Sequence, residues 1–318
     1  MMKEIVLITG ASGAIAKVLS KKIEKDYTIR FLTRKKKAEN EFEWDLNNNT
    51  IDEQAFENVS HIIHLAGANI SEKRWTEERK KELIDSRVNS AKLILNTLKN
   101  KNIKLKSFIS ASGINFYGIK TTDKIFAEND PAGNDFLSKV VQVWEKAADE
   151  FTEQNVAERV VKVRTAVVLS KNDGALAKMI TPIKFGIGSP IGSGKQYMPW
   201  IHVDDICAIY EFALKNPEIR GSYNASAPQH TTNENLTRIA AKILKKPLFM
   251  PNVPAFVLKL MFGELADILL QGSRASSEKI IKAGFDFKFP VLEGALEDLL
   301  KKIIIKRLKY NAKASCKY

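Results

Sequence analysis

The chain has 318 residues, 44% hydrophobic and 27% charged, which suits one large α/β domain or a domain with an attached lobe. No apolar run approaches the roughly 20 residues that span a bilayer, and Met1–Val6 leads straight into a strand pattern without a signal sequence, so a cytoplasmic protein with no membrane partner is expected. The net charge is +13, but seven cationic residues (Lys301, Lys302, Lys306, Arg307, Lys309, Lys313 and Lys317) sit in residues 301–318 without an acid, so the excess reads as a solvated tail rather than a nucleic-acid site.

In chain order, Ile5–Ile8 reads as a strand and residues 14–25 as a helix with apolar spacing at Ile15, Val18, Leu19 and Ile23. Tyr27–Leu32 and Val59–Leu65 are further strands, followed by a long helix from about Thr76 to Asn100. Ser107–Ser110 is the next strand, residues 137–152 are helical, and Val160–Leu169 is again rich in β-branched residues. This alternation predicts a doubly wound parallel sheet with helices on both faces.

The second half is less regular. Residues 171–199 are rich in glycine and proline (Pro182, Pro190, Pro199), with one helix near 175–185. Ile201–Leu214 reads as a strand end entering a helix, with Asp204 and Asp205 expected to cap it. Ser222–Ala225 follows, then helices over 233–245 and 254–270, and a last one from about Val291. The expected division is a core over 1–170 to which 200–227 returns, a lobe from 171–199 and 228–300, and the tail. Cys207 and Cys316 cannot frame a disulfide scaffold and are expected as reduced thiols.

Gly10-Ala11-Ser12-Gly13-Ala14-Ile15-Ala16 follows the first strand and opens the first helix. A pyrophosphate demands a tight turn there, bringing backbone amides and a helix N-terminus close to the anion. Gly10 and Gly13 meet that demand, and Ala16 is small enough for helix–strand packing. At the end of the second strand stand Thr33 and Arg34 rather than an acid. A carboxylate there would bind the ribose hydroxyls of NAD, whereas a guanidinium pairs with a 2′-phosphate, so NADP(H) is favoured over NAD(H). No His/Cys/Asp spacing suggests a metal site. His61, His64 and His230 stand alone and carry no expected role.

Further segments carry a resemblance: Trp44-Asp45-Leu46, His64-Leu65-Ala66-Gly67-Ala68-Asn69-Ile70, Arg74-Trp75-Thr76, Lys81–Arg87, Arg164–Ser170, Gly192-Ser193-Gly194, Trp200–Asp205, Leu270–Arg274 and Ala283-Gly284-Phe285. Over about residues 3–300 this succession resembles the atypical extended short-chain dehydrogenases labelled epimerase family proteins (family 39U in the human nomenclature). The resemblance implies a Rossmann core with a small C-terminal substrate lobe closing over the nicotinamide end. It implies that Gly10, Ser12, Gly13, Ala14 and Ile15 form the diphosphate turn, with Thr33 and Arg34 at the adenosine phosphate. Asp45 and Leu46 would lie beside adenine, and Leu65, Ala66 and Gly67 along the cofactor. Glu82, Arg87 and Arg164 resemble the polar residues such proteins direct toward NADP.

Active members of the wider superfamily use a Tyr as general acid/base, a Lys four residues later, and a Ser or Thr at the preceding strand end. Ser112 or Ser110 matches the hydroxyl. The couple does not: with Lys139 as the lysine the tyrosine position is Asp135, and with Phe136 as the tyrosine the lysine position is Val140. Tyr117 and His202 are the remaining candidates to move a proton, each with packing or hydrogen bonding as its plainer role. Two functions therefore stand: an NADP-dependent oxidoreductase or epimerase on an unidentified small molecule, or a non-catalytic NADP(H) sensor acting through a protein partner. The oligomeric state is open.

Overall fold

The computed structural model describes residues 3–171 and 174–300. Five strands come in the first 64 residues: β1 (Ile5–Thr9), β2 (Thr28–Thr33), β3 (Glu41–Asp45), β4 (Thr50–Ile51) and β5 (Val59–His64). β6 (Ser107–Gly113), the two-residue β7 (Ile125–Phe126), β8 (Val160–Thr165), β9 (Val167–Leu169), β10 (Trp200–His202), β11 (Gly221–Ala225) and β12 (Arg274–Ala275) follow. Eight of these make one sheet in the order β11-β8-β6-β5-β1-β2-β3-β4. Its pairings are parallel except that of β3 with the short edge strand β4. β10 pairs with β9, and β12 with β7, outside it.

The helices are α1 (Ala14–Ile23), α2 (Glu77–Asn100), α3 (Phe136–Glu153), α4 (Gly174–Lys184), α5 (Val203–Lys215), α6 (Asn233–Leu244), α7 (Ala255–Phe262), α8 (Ala266–Leu270) and α9 (Glu278–Lys282), with residues 292–300 also helical. Alternation along the strands decides which helix each face takes. Val6, Ile8, Ile63 and Ile109 pack with Leu19 of α1 and Ile206 of α5. Leu7, Ile62 and Phe108 pack with Ile94 of α2 and Phe151 of α3, where the Phe108 and Phe151 rings stack at 3.7 Å. A third cluster joins Leu176 and Ile180 of α4, Leu236 and Ala240 of α6, and Leu292, Leu296 and Leu299. The expected lobe took in all of 228–300, but Ala275, Ile280, Phe285 and Phe287 pack with the α1 and α5 side of the core. The chain thus crosses back before its last helix.

Several expectations are corrected locally. The β3–β4 edge was not anticipated, because Glu41-Phe-Glu-Trp-Asp offers only Phe42 and Trp44 as apolar residues. The strand expected over Val160–Leu169 divides at Ala166. There Ala166 N–H still reaches Ala225 O, while Val167 N–H turns to Pro199 O and carries the chain toward the lobe. The helix expected over 254–270 breaks at Gly263, whose φ of +61° belongs to the left-handed region that favours glycine.

The N-cap of α5 is His202, whose Nδ1 accepts from Asp204 N, not either aspartate. Asp205 instead turns its buried carboxylate to the backbone N–H groups of Lys288 (2.8 Å) and Phe289 (3.0 Å), and Asp204 pairs with Lys288 Nζ at 3.0 Å. Both cysteine expectations divide at the described boundary. Cys207 is a buried free thiol that desolvation pushes up to about 12, and Cys316 lies outside the described residues with the basic tail.

Asp205→Ala leaves two part-buried amides without their acceptor. Urea denaturation should show a loss on the order of 3 kcal/mol, with the m-value unchanged; a loss below the measurement error would mean that the two amides find another partner.

Candidate functional site

The sheet order reverses direction at β1: the chain runs from β1 outward to β2 and β3, then returns to β5 and proceeds the other way through β6 and β8. Open α/β sheets place their binding crevice at such a point, beyond the carboxyl ends of the strands. The Gly10 turn and the Leu65–Gly67 segment meet here. Gly10 has φ +74°, and a Cβ on it would lie 3.2 Å from Ala66 N and from the Leu65 carbonyl. Gly13 N–H bonds Gly10 O at 2.9 Å, and α1 starts at the next residue without a side-chain cap or an acid in its first turn. Its leading amides are therefore available to an anion.

A buried relay holds the two strand ends together. Thr9 Oγ1 accepts from Leu65 N (3.0 Å) and Ala66 N (2.9 Å), which leaves its proton for His64 Nδ1, 3.0 Å away. That assignment puts the imidazole proton on Nε2, which donates to Ser90 Oγ at 3.0 Å, and Ser90 in turn donates to Arg87 O. Thr9, His64 and Ser90 are fully buried. Burial lowers the His64 pKa from 6.5 to about 4, so the ring is neutral. Sequence reasoning missed it, since a lone His in an apolar strand has no motif; the only signal was a polar residue at a position that should be apolar.

Arg87 lies under the same segment. Its guanidinium donates to Leu83 O and Ala68 O and sits 4.8 Å over the Trp144 ring, and a Cβ on Gly67 would come within 3.1 Å of it. It is 5% exposed, forms no ion pair among the described residues, and its Nε has no hydrogen-bond partner. Desolvation, with the charge of Arg79 second, lowers its pKa to about 10. Arg79 is supplied with carboxylates from Glu82 and Glu72. Glu82 is thereby a partner of Arg79 on the exposed side of α2.

Just past the end of β2, Arg34 is exposed and Thr33 Oγ1 braces Lys35 N at 3.4 Å. Glu43 and Glu41 accept from the backbone amides of Lys36 and Lys37, both at 2.7 Å, so these acids are tied to the loop and not to Arg34. Asp45 accepts from Asn47 N and Asn48 Nδ2, and the first of these does most to hold its pKa below the usual carboxylate range. Leu46 packs on the α2 and α3 side of the core.

The proposed proton-moving groups meet in one buried network. Ser112 Oγ donates to Glu145 Oε1 at 2.6 Å, and Glu145 takes a bidentate pair from Arg164 (2.7 and 2.9 Å). The remaining Arg164 nitrogen donates to Tyr117 Oη (2.9 Å) and Glu128 O, and Tyr117 donates to Asn224 Oδ1 at 2.8 Å. Ser112, Tyr117 and Arg164 are each at most 5% exposed, and desolvation raises the Tyr117 pKa to about 12. All three Arg164 nitrogens are consumed within the protein rather than turned toward the Gly10 turn, because Glu145, unremarked in the sequence, claims two of them. His202 lies apart from this network, its ring tilted against Phe289 with centroids 3.9 Å apart and Asp298 3.7 Å from Nε2.

Neither register yields a tyrosine–lysine couple. Asp135 caps α3 through Ser138 N and also accepts from Ile119 N. Lys139 points to solvent, and Phe136 meets the Trp75 ring edge at 5.1 Å. No metal-binding group of His, Cys, Asp or Glu occurs among the described residues.

Comparison with known proteins follows the same lines. Residues 6–226 match the family described as NAD dependent epimerase/dehydratase, and residues 253–299 match a domain of unknown function, DUF1731. The chain is 34% identical over 306 residues to the chloroplastic epimerase family protein SDR39U1 homolog of Arabidopsis thaliana, which covers 93% of this chain and 86% of the relative. Epimerase family protein SDR39U1 of Mus musculus is 36% identical over 243 residues, 75% of this chain and 81% of that one. The crystal structure of human epimerase family protein SDR39U1 (isoform 2) with NADPH superposes with a TM-score of 0.83 at 28% identity, over 93% of this chain and 99% of that chain.

The neutral His64 makes stability depend on pH. Between about pH 6.5 and 4 the unfolded chain binds the proton and the folded one does not, so stability is complete above that window and falls by about 3 kcal/mol as pH drops through it. Urea melts across this range should show a shallower fall for His64→Asn, with the remainder owed to groups such as His61, whose pKa burial also lowers. An unchanged slope would contradict a buried neutral ring.

Proposed function

This chain belongs to the NAD dependent epimerase/dehydratase family, and on that premise we propose that it binds NADP(H) in the crevice between the Gly10 turn and Leu65–Gly67. The Arg87 cation beneath that crevice, with no counterion among the described residues, carries the reading. A buried charge without a counterion is costly to the ligand-free protein, and an anionic ligand nearby relieves the cost. The uncapped amides of α1 would receive the pyrophosphate, and Arg34 and Thr33 the 2′-phosphate. NADP(H) supplies a hydride donor or acceptor there. The polypeptide supplies a rigid wall, since the Thr9–His64–Ser90 relay fixes the Leu65–Ala66 backbone. The substrate of such an oxidoreductase or epimerase is an unidentified small molecule, with the lobe over the nicotinamide end. A reducing cytoplasmic setting suits the free Cys207 thiol.

A second reading, a dinucleotide-responsive binding protein without turnover, has its own supporting observation. The groups suited to proton transfer, Ser112 and Tyr117, are held in the buried Glu145–Arg164 network. Glu145→Gln then acts as a fold variant. Removing one charge of this pair should cost about 3–5 kcal/mol, read as a loss of thermal stability whether or not cofactor is present.

Titration with NADPH, NADP+, NADH and NAD+ tests the first reading. Wild type should prefer the phosphorylated pair, and Arg34→Ala should weaken NADPH binding about tenfold or more while leaving NADH within about twofold, as the loss of one charge-assisted phosphate contact implies. Absence of binding to all four would sink the proposal. Binding without turnover across a carbonyl and alcohol screen would favour the second reading.

A further inference from the structure

Large apolar side chains stand exposed along one part of the lobe. Phe185 and Ile187 follow α4, Phe249 precedes α7, and Phe256, Leu260 and Met261 project from α7; four of these six are at least 70% exposed. The segments are neighbours. Val253 N bonds Pro190 O and Gly192 N bonds Val253 O, both at 2.9 Å, which lays 187–192 beside 250–253 where α7 begins. Within α7 only Leu258 turns fully inward, so Phe256 and Leu260, one turn apart, face out.

Cations adjoin these apolar residues along the chain. Lys184 directly precedes Phe185, Lys245 and Lys246 precede Phe249, and Lys259 precedes Leu260. Lys184, Lys245 and Lys246 form no ion pair among the described residues. The carboxylates next to α7 are engaged, Glu264 by Lys80 at 2.9 Å and Asp267 by Lys259 at 3.9 Å.

We propose that this face of the lobe docks on an anionic lipid surface, the aromatic and aliphatic groups entering the acyl boundary and the lysines meeting headgroup phosphates. Apolar residues flanked by lysine have that division of labour. A second copy fits less well: an isologous contact brings two copies of the same lysine-bearing face together, and protein interfaces deplete lysine at their centre. No helix among the described residues is long and apolar enough to cross a membrane. The contact is therefore peripheral, and it departs from the sequence expectation of no membrane partner.

Co-sedimentation of the full chain with phosphatidylcholine vesicles, with and without phosphatidylglycerol, tests this. Binding should need the anionic lipid and weaken with salt. Phe256→Ser with Leu260→Ser should reduce partitioning by roughly two orders of magnitude, and Lys245→Ala with Lys246→Ala by roughly fivefold per lysine. All four positions are exposed, so the melting temperature should hold. Three results would overturn the proposal. One is no binding. Another is binding that survives the Phe256/Leu260 change but is lost on Lys306→Ala, Arg307→Ala and Lys309→Ala, which assigns it to the tail. The third is a vesicle-independent dimer that Leu260→Ser dissociates.

Discussion

One hydroxyl, that of Thr9, joins the ends of β1 and β5. It accepts from two consecutive amides of the chain leaving β5 and donates a hydrogen bond to His64 Nδ1. The Gly10 turn approaches within van der Waals contact of the same backbone, so a shift of the β5 exit would alter the space above the turn. Parallel strands alone do not fix the path of the chain beyond their ends, since the ladder stops at His64. The relay extends order past that limit with side chains that are fully satisfied and fully enclosed, the condition under which a buried polar network adds definition without an unpaired group.

The Glu145–Arg164 network has a comparable role on the far side of β6. Arg164 comes from β8, Glu145 from α3, Ser112 from the end of β6 and Asn224 from β11. Four elements are thereby tied at one spot, with the Arg164 guanidinium 3.5 Å over the Phe116 ring. Burial outweighs the pull of the Arg164 cation on the Tyr117 phenol and keeps it protonated near neutrality. The arrangement uses residue types associated with catalysis to hold strands and helix in place.

Much of the fold was legible because it is written in period: apolar runs for β1, β5 and β6, and a 3.6-residue spacing for α1, α2 and α3. The glycine turn was legible for the same reason that it works, as only small residues fit where Gly10 meets Ala66. What escaped was long-range pairing. Nothing near Asp205 in sequence announces that its acceptors serve amides more than eighty residues away, and Glu145 reads as one more acid on an amphipathic helix until β8 brings Arg164 against it. The edge strand β3 escaped because Phe42 and Trp44 alone carry its apolar face. The direction of Arg164 was likewise invisible, since one arginine serves a ligand or a carboxylate with the same fork.

Arg34 and Arg87 differ in one further respect. Arg34 stands in solvent, where mobile ions shield a charge within a Debye length of about 8 Å at physiological ionic strength. Arg87 is walled in by carbonyls, an indole and the Gly67 backbone, where such ions cannot follow. Added electrolyte therefore mutes the field around Arg34 and leaves that around Arg87 nearly intact. On the NADP(H) reading proposed above, discrimination through Arg34 would fade as salt rises, while attraction through Arg87 would persist.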